Sequence, residues 1–252
     1  MISAILGDGL VQPTEVTVSD ISESRRRDLK QKYGVVAVAE NRNAVAKADT
    51  VVLAVKPQNL AGVMDEISGV FQPEQVVLSI VAGARIDTLH RGLNHRHVVR
   101  SMPNTPAQIG EGITVWTATP EVTEQQKEWA RSILGATGKE IFVVDEKYLD
   151  MATAVSGSGP AYFFLFVESL VEAAVQIGLP RDTAEKLVLQ TMLGSGHLIE
   201  KSDKPPAELR RMVTSPGGTT SEALQKFEQR GFRQLVLQAV VAAFNKAKEL
   251  GK

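Results

Sequence analysis

Residues 209–224 read LRRMVTSPGGTTSEAL, with the hydroxyls of Thr214, Ser215, Thr219 and Thr220 gathered around Gly217 and Gly218. Leu209, Met212 and Val213 keep helical spacing and a second helix resumes at Ser221, so residues 214–220 must break the chain between two helices. Pro216 removes a backbone donor, while two glycines without Cβ allow the following N–H groups to point at a small anion. Hydroxyls that donate or accept complete what a carboxylate cradle needs. The same residues also suit an ordinary helix-turn-helix in which Thr219 or Thr220 is the N-cap. A second cluster of small residues, SGSGP at 156–160, precedes a long apolar run. Pro160 falls where a first helical turn would, so the amides before it can accept an anion or admit a second chain, or simply form a tight corner between helices.

These clusters need elements to hold them, and the rest of the chain supplies two kinds. Up to residue 145, helical and strand patterns alternate. A short apolar helix (1–10) is followed by a strand at 15–19, a charged helix at 22–32, a strand at 35–38, a small helix at 41–48 and the apolar strand TVVLAV at 50–55. Further strands are expected at 76–80, 98–101, 112–117 and 140–144, with helices at 59–67, 85–92 and 123–135. Near-continuous apolar strands separated by helices imply an α/β fold, a doubly wound and mostly parallel sheet covered on both faces. From 146 onward only helical patterns appear, at 148–155, 160–178, 181–200, 205–213, 220–230 and 232–250. The boundary is set at 146, giving domains 1–145 and 146–252. The run FFLFVESLVEAAV is apolar on most of its faces, which points to burial in a dimer.

In an open α/β sheet, ligands sit beyond the carboxyl ends of the strands. After the first strand stand Ser19, Asp20, Ser22, Ser24, Arg25 and Arg26; hydroxyls beside arginines suit a 2′-phosphate and so favour NADPH, while the nearby acid keeps NADH open. The arginines at 25–27 also read as a solvated helix face. Ala54, Val55, Lys56 and Pro57 follow the second apolar strand, where small residues admit a dinucleotide, although Lys56 equally suits a solvent-facing strand end. The third place is SMPNTPAQIGEG at 101–112, a stiff loop in which Asn104 and Thr105 present an amide and a hydroxyl. His90, His95 and His97 crowd LHRGLNHRH without carboxylates at ligand spacing, and with His197 are read as surface residues.

The 252 residues carry a formal net charge of −1 and no cysteine. That balance argues against nucleic acid or a membrane surface as the main partner, and the lack of cysteine excludes disulfides and a thiol nucleophile. Neither a charged leader nor an apolar run approaching about 18 to 20 residues is expected, so a cytoplasmic, soluble protein acting on a small molecule is the reading. Patterns for a P-loop, HExxH or Gly-x-Ser-x-Gly are missing.

The run PAELRRMVTSPGGTTSEAL closely resembles a signature of the pyrroline-5-carboxylate reductases, and SGSGPAYFFLFVESLVEAA resembles the same family's other hallmark. The resemblance implies a Rossmann-like domain followed by an all-α dimerisation domain, and a homodimer that is in places built into larger rings. It implies reduction of 1-pyrroline-5-carboxylate to proline by NADPH, with NADH possible. Val81, Ala82 and Gly83 match the segment under the nicotinamide ribose, and residues 101–112 match the loop beside it. Ser156 and Gly157 are then expected in a substrate pocket with the 214–220 break. The backbone of Gly217, Gly218 and Thr219 and the Ser215 hydroxyl would bind the carboxylate, and Thr220 would help protonate the ring nitrogen.

Compared with that family, the sequence begins inside the first helix, and about 15 to 20 residues carrying the first strand and its Gly-x-Gly-x-x-[Gly/Ala] turn are missing. The neighbouring strands are therefore expected to have unpaired edges. Either the start of the chain leaves out a segment of an ordinary reductase, or the chain is a non-catalytic homologue that dimerises but binds NADPH poorly. A hydroxyacid dehydrogenase is a weaker third reading, because it would call for a lysine base where this chain offers hydroxyls.

Overall fold

The computed structural model describes residues 1–251, which form two compact units: residues 1–158 with the C-terminal stretch from 243, and residues 159–242. The first unit opens with α1 (Ile2–Gly7), a 3₁₀ turn at Pro13–Glu15 and β1 (Thr17–Ser19). Proline at 13 shortens the strand expected at 15–19 by fixing φ and lacking a donor. Then come α2 (Glu23–Tyr33), β2 (Val36–Val38), α3 (Asn41–Val45), β3 (Thr50–Leu53), α4 (Leu60–Ile67), β4 (Val76–Ser79), α5 (Ile86–Leu93), β5 (Val98–Met102), β6 (Gly112–Ala118), α6 (Glu124–Gly135), β7 (Gly138–Phe142) and α7 (Lys147–Ala152). Helix boundaries follow local chemistry: the Ser22 hydroxyl accepts from the Arg25 amide at the start of α2, and Gly34 with φ 72° ends it.

β3 to β7 form one five-stranded sheet in sequential order, parallel except for the antiparallel β5–β6 pair. β1 and β2 pair in parallel as a separate two-stranded sheet. The interruption expected from the sequence therefore lies between β1 and β3, each of which has one ladder partner. Side chains tie the smaller sheet to the larger one. Ser19 donates to the Asn41 carbonyl oxygen (2.7 Å), and Asn41 donates through its backbone and side-chain nitrogens to Glu66 on α4 (3.0 and 2.7 Å).

Strand alternation sends apolar residues to both faces, as a doubly wound sheet requires. Leu53, Val77 and Val98 meet Val45 of α3, Leu60, Met64 and Ile67 of α4 and Leu89 and Leu93 of α5. Val76, Leu78, Val99 and Trp116 meet Ala130 and Leu134 of α6. With Val76, Val77 and Leu78 fully inaccessible, each contributes on the order of 1.5–3 kcal/mol of burial. That makes β4 the anchor of the unit.

The second unit contains α8 (Gly159–Gln176), α9 (Arg181–Lys201), α10 (Pro206–Met212), α11 (Thr219–Gln229) and most of α12 (Phe232–Leu250). Val171 and Ala184 are its buried hydrophobic side chains among the described residues, whereas Phe163, Phe164, Leu165, Leu187, Leu189 and Leu198 are each more than half exposed. Between α7 and α8 the chain does not turn a corner at SGSGP. Residues Thr153–Gly157 form one widened π turn, closed by the Ser158 amide on the Thr153 carbonyl (2.8 Å). A widened turn accommodates Pro160, which has no N–H to give and whose ring would strike a regular preceding turn. The resulting helical stretch Lys147–Gln176 is long and apolar enough to cross a membrane by length and composition, with a mean hydropathy of 1.3 over its most apolar window. That corrects the expectation that no such run exists.

Candidate active site

The carboxyl ends of the parallel strands bring the expected cofactor residues to the surface of the first unit. Ser19 ends β1 with its hydroxyl engaged on Asn41. Arg25 extends into solvent from the first turn of α2, while Arg26 turns back to donate to the Asp20 carbonyl (2.6 Å). Asp20 is itself occupied, since its carboxylate accepts from the Ser22 amide (2.8 Å). Of the charges near this strand end, Arg25 is the one left to meet an anion. After β3, Ala54, Lys56 and Pro57 are exposed and Val55 is half-buried; Pro57 starts a 3₁₀ turn, as a helix-initiating proline does.

Two further loops were expected here. Val81 is buried in the α4–α5 core, so its side chain is structural and only its backbone faces the loop. Gly83 has φ 78°, and a Cβ there would lie 2.8 Å from the Leu250 carbonyl oxygen, so both its conformation and the approach of the end of α12 demand glycine. In the 101–112 loop, Asn104 uses its side-chain oxygen to accept from the Ile113 amide (2.9 Å), bracing the start of β6 and leaving its NH₂ as the free donor. Thr105 is exposed at the start of a 3₁₀ turn.

At residues 156–157 the arrangement differs from the sequence reading. Ser156 lies inside the π turn and donates its hydroxyl to the Ala152 carbonyl (2.9 Å), and the Ser158 amide is spent on Thr153. No open helix N-terminus exists at SGSGP, because the chain arrives already helical from α7. Gly157 instead gives a close approach: a Cβ there would sit 3.0 Å from the Met102 methyl at the end of β5. π turns of this kind recur at functional sites.

In the second unit, Gly217 takes φ 69° and the Gly218 amide donates to the Ser215 carbonyl (3.1 Å). A Cβ at Gly218 would fall 2.6 Å from the Ser215 hydroxyl, so only glycine keeps that hydroxyl in place. Gly218 is also the N-cap of α11, and it offers no side-chain cap to the first-turn amides. Gly218, rather than Thr219 or Thr220, stands at the N-cap. Uncapped amides at Thr219, Thr220 and Ser221, the helix dipole and the half-buried Thr220 hydroxyl make an anion-binding end. Thr214 is spent on the Arg210 carbonyl (2.6 Å). Elsewhere in this unit, a largely apolar cavity of about 550 Å³ is lined by Phe227, Phe232, Leu235, Ala223, Lys226 and Arg230.

Comparison with known proteins bears on both units. Residues 146–250 match the family model for pyrroline-5-carboxylate reductase dimerisation, and residues 1–83 match that for NADP oxidoreductase, coenzyme F420-dependent. The chain is 42% identical over 243 residues to a pyrroline-5-carboxylate reductase of Pseudomonas aeruginosa, covering 96% of this chain and 89% of the relative. The chain belongs to the pyrroline-5-carboxylate reductase family. Solved structures agree. The Coxiella burnetii pyrroline-5-carboxylate reductase superposes with a TM-score of 0.90 at 38% identity, covering 100% of this chain and 93% of that one. The Plasmodium falciparum pyrroline carboxylate reductase with NADP bound gives 0.90 at 31% identity, with the same coverage.

For a member of this reductase family, two features escaped the sequence reading. His95 is buried rather than on the surface. Asn94, in the left-handed conformation, ends α5 and turns the chain back, so that the His95 ring stacks on Phe71 (4.9 Å) and its Nε2 pairs with the Gln75 carbonyl (2.7 Å). Burial lowers its pKa, the Gln75 carbonyl opposes that, and nearby His97 and His90 add to the lowering. The second feature is a buried ionic network around Arg100 of β5. Arg100 Nη1 lies 2.7 Å from Glu146 and Nη2 lies 3.1 Å from Asp150, and the other Asp150 oxygen lies 3.4 Å from Arg85. A charged residue inside the apolar strand VVRSM was the available signal. Among the described residues, no group of three or more His, Asp or Glu side chains could hold a metal ion.

Proposed function

We propose that the chain reduces 1-pyrroline-5-carboxylate to L-proline, the last step of proline formation, with NAD(P)H as hydride donor. A hydride adds to the imine carbon of the ring, the C=N π electrons move to nitrogen, and a proton completes the N–H bond. The nicotinamide supplies the hydride when bound. Family membership over nearly the whole chain supports this reading and disfavours the non-catalytic alternative. The observation in this chain that carries it is the uncapped start of α11 behind Gly217 and Gly218.

In this reading the amides of Gly217 and Thr219 and the Ser215 hydroxyl bind the substrate carboxylate; the Gly218 amide, expected to join them, is engaged on the Ser215 carbonyl, and Gly218 serves by leaving room for the Ser215 hydroxyl. Thr220 hydrogen-bonds the ring nitrogen and helps to deliver its proton, directly or through water. Ser156 and Gly157 provide a small-residue surface for close approach of the ring. Few acid–base groups are needed, because holding the hydride donor against the imine carbon supplies most of the acceleration. The donor set on the first unit fits a dinucleotide. Ser19, Ala54, Val55, Lys56, Pro57, Val81, Ala82, Gly83, Asn104 and Thr105 line the strand ends, and solvent-facing Arg25 with the hydroxyls of Ser22 and Ser24 favours the 2′-phosphate of NADPH over NADH.

By function, residues 1–145 are the dinucleotide domain and residues 146–252 the substrate and dimerisation domain. The unpartnered apolar faces of α8 and α9 support a homodimer through the helical domain, and they account for the membrane-length apolar stretch without a membrane. A larger ring of dimers and a cytoplasmic location complete the proposal. The test is steady-state kinetics of Thr220→Ala beside the parent chain. A fall in kcat far larger than any change in NADPH affinity is expected, and equal losses in both, or none, would remove Thr220 from the reaction.

A further inference from the structure

Arg100 follows Val98 and Val99 in the strand, yet it is a charged side chain only 4% exposed. Desolvating a guanidinium is costly even when it is paired, and a buried ion pair commonly stabilises no better than the apolar residues that would fit the space. A third valine would suit the sheet, so the identity of residue 100 points to what the charge holds in place. Its partners come from the start of α7: Glu146 Oε1 accepts from Arg100 Nη1 (2.7 Å) and Asp150 Oδ1 accepts from Nη2 (3.1 Å).

Both carboxylates reach a second loop as well. Glu146 Oε1 also accepts from the Ile86 amide (2.8 Å), and Asp150 Oδ2 accepts from Arg85 Nη2 (3.4 Å). Arg85 in turn donates through Nε to the Gly251 carbonyl (2.6 Å), at the end of α12. Leu250 closes over the same turn, since its carbonyl oxygen lies 2.8 Å from where a Cβ of Gly83 would be. Arg100 immediately precedes residues 101–105, and Arg85 immediately follows residues 81–84. The network thus joins the two loops expected nearest the nicotinamide to one helix start and to the last turn of the chain.

The geometry points to Arg85 and Arg100 as positioning residues: through Asp150, Glu146 and the carbonyl of Gly251 they fix the 81–86 turn and the 101–105 loop in the register that a nicotinamide dinucleotide needs. This rests on the proposed reductase reading for its ligand. Arg85 is the better handle, because its side chain is 37% exposed and its removal leaves the buried Arg100–Asp150 and Arg100–Glu146 pairs intact. A displaced loop costs catalysis through misplacement of the hydride donor even where the fold survives.

The experiment compares the full chain with Arg85→Ala and Arg85→Lys by three readouts. Amide hydrogen exchange without cofactor is expected to rise at 81–86 in Arg85→Ala, with β4 unchanged and the dimer intact. NADPH titration is expected to show about tenfold weaker binding, a difference of about 1.4 kcal/mol. In turnover, kcat is expected to fall about tenfold with KM for pyrroline-5-carboxylate within about twofold, and the isotope effect from NADPH deuterated at the transferred position should rise as hydride transfer becomes slower. Arg85→Lys, which keeps a cation opposite Asp150, should recover part of each loss. Unchanged exchange and affinity in Arg85→Ala would overturn the proposal, as would losses that only track a lower content of folded protein. If the parent chain binds NADPH but does not reduce the substrate, the reductase reading fails while exchange and affinity still decide the positioning role. A parent chain that binds no NADPH overturns both.

Discussion

The two units of this chain handle apolar surface in opposite ways. In the first, the strands alternate Val and Leu onto two faces that helices cover, and Val76, Val77, Leu78, Val98 and Val99 are inaccessible to solvent. In the second, α8 and α9 touch each other, but Phe163, Phe164, Leu165 and Leu187 are each more than half exposed. The first buries its strands under its own helices, although its sheet is interrupted between β1 and β3. The second is half of a core, and the match of residues 146–250 to a dimerisation model says what completes it. In the proposed reading chemistry divides along the same line: the residues proposed for the dinucleotide lie on the first unit, and the proposed carboxylate site lies at the uncapped start of α11 in the second.

The harshest test of this contrast is a charge placed on the uncovered helix. Leu165→Glu is expected to convert the dimer to monomer in sedimentation and to reduce activity to background, while the sheet's near-ultraviolet signature from Trp116 persists. A dimer of normal activity would mean that α8 is not the seam. Next in size is Thr220→Ala, for which kcat should fall about 100-fold with NADPH affinity unchanged, separating the chemistry of the second unit from the binding of the first. Arg25→Ala reverses that pattern: KM for NADPH should rise about tenfold, kcat should hold, and NADH kinetics should not move, because only the 2′-phosphate meets this side chain.

The smallest expected effect concerns only the first unit. Burial lowers the pKa of His95 below the value of about 6.5 it has in an unfolded chain. The unfolded chain therefore binds this proton more readily. The contribution of His95 is complete above about pH 6.5 and is lost as pH falls below that value. Chemical denaturation at pH 7.5 and about pH 5.5 should show a larger drop in stability for the parent chain than for His95→Phe, with the helical unit's exchange unaffected. An equal drop in both would show that His95 is not the titrating group.

Much of the fold was legible because it rests on local pattern. Apolar runs such as TVVLAV, helix caps such as Ser22 and terminators such as Gly34 declare themselves within a few residues. The break between two helices at 214–220 was legible for the same reason, although only the backbone shows that α11 starts at Thr219 behind Gly218 with no side-chain cap. What stayed hidden depends on distant partners. His95 looks like a loop histidine until Phe71 and Gln75 arrive beneath it, and SGSGP looks like a helix start until α7 is seen feeding into it. The Arg85, Arg100, Glu146, Asp150 and Gly251 set spans 166 residues of sequence, and no periodicity links its members.

The central claim is that this chain reduces 1-pyrroline-5-carboxylate to proline with NADPH. It is tested most directly by adding pyrroline-5-carboxylate to the dimeric 252-residue chain with NADPH and following cofactor oxidation and proline together. One proline formed per NADPH consumed, with the rate abolished by Leu165→Glu and strongly reduced by Thr220→Ala, is the predicted result. A folded dimer that binds NADPH yet consumes none in the presence of the substrate would contradict it.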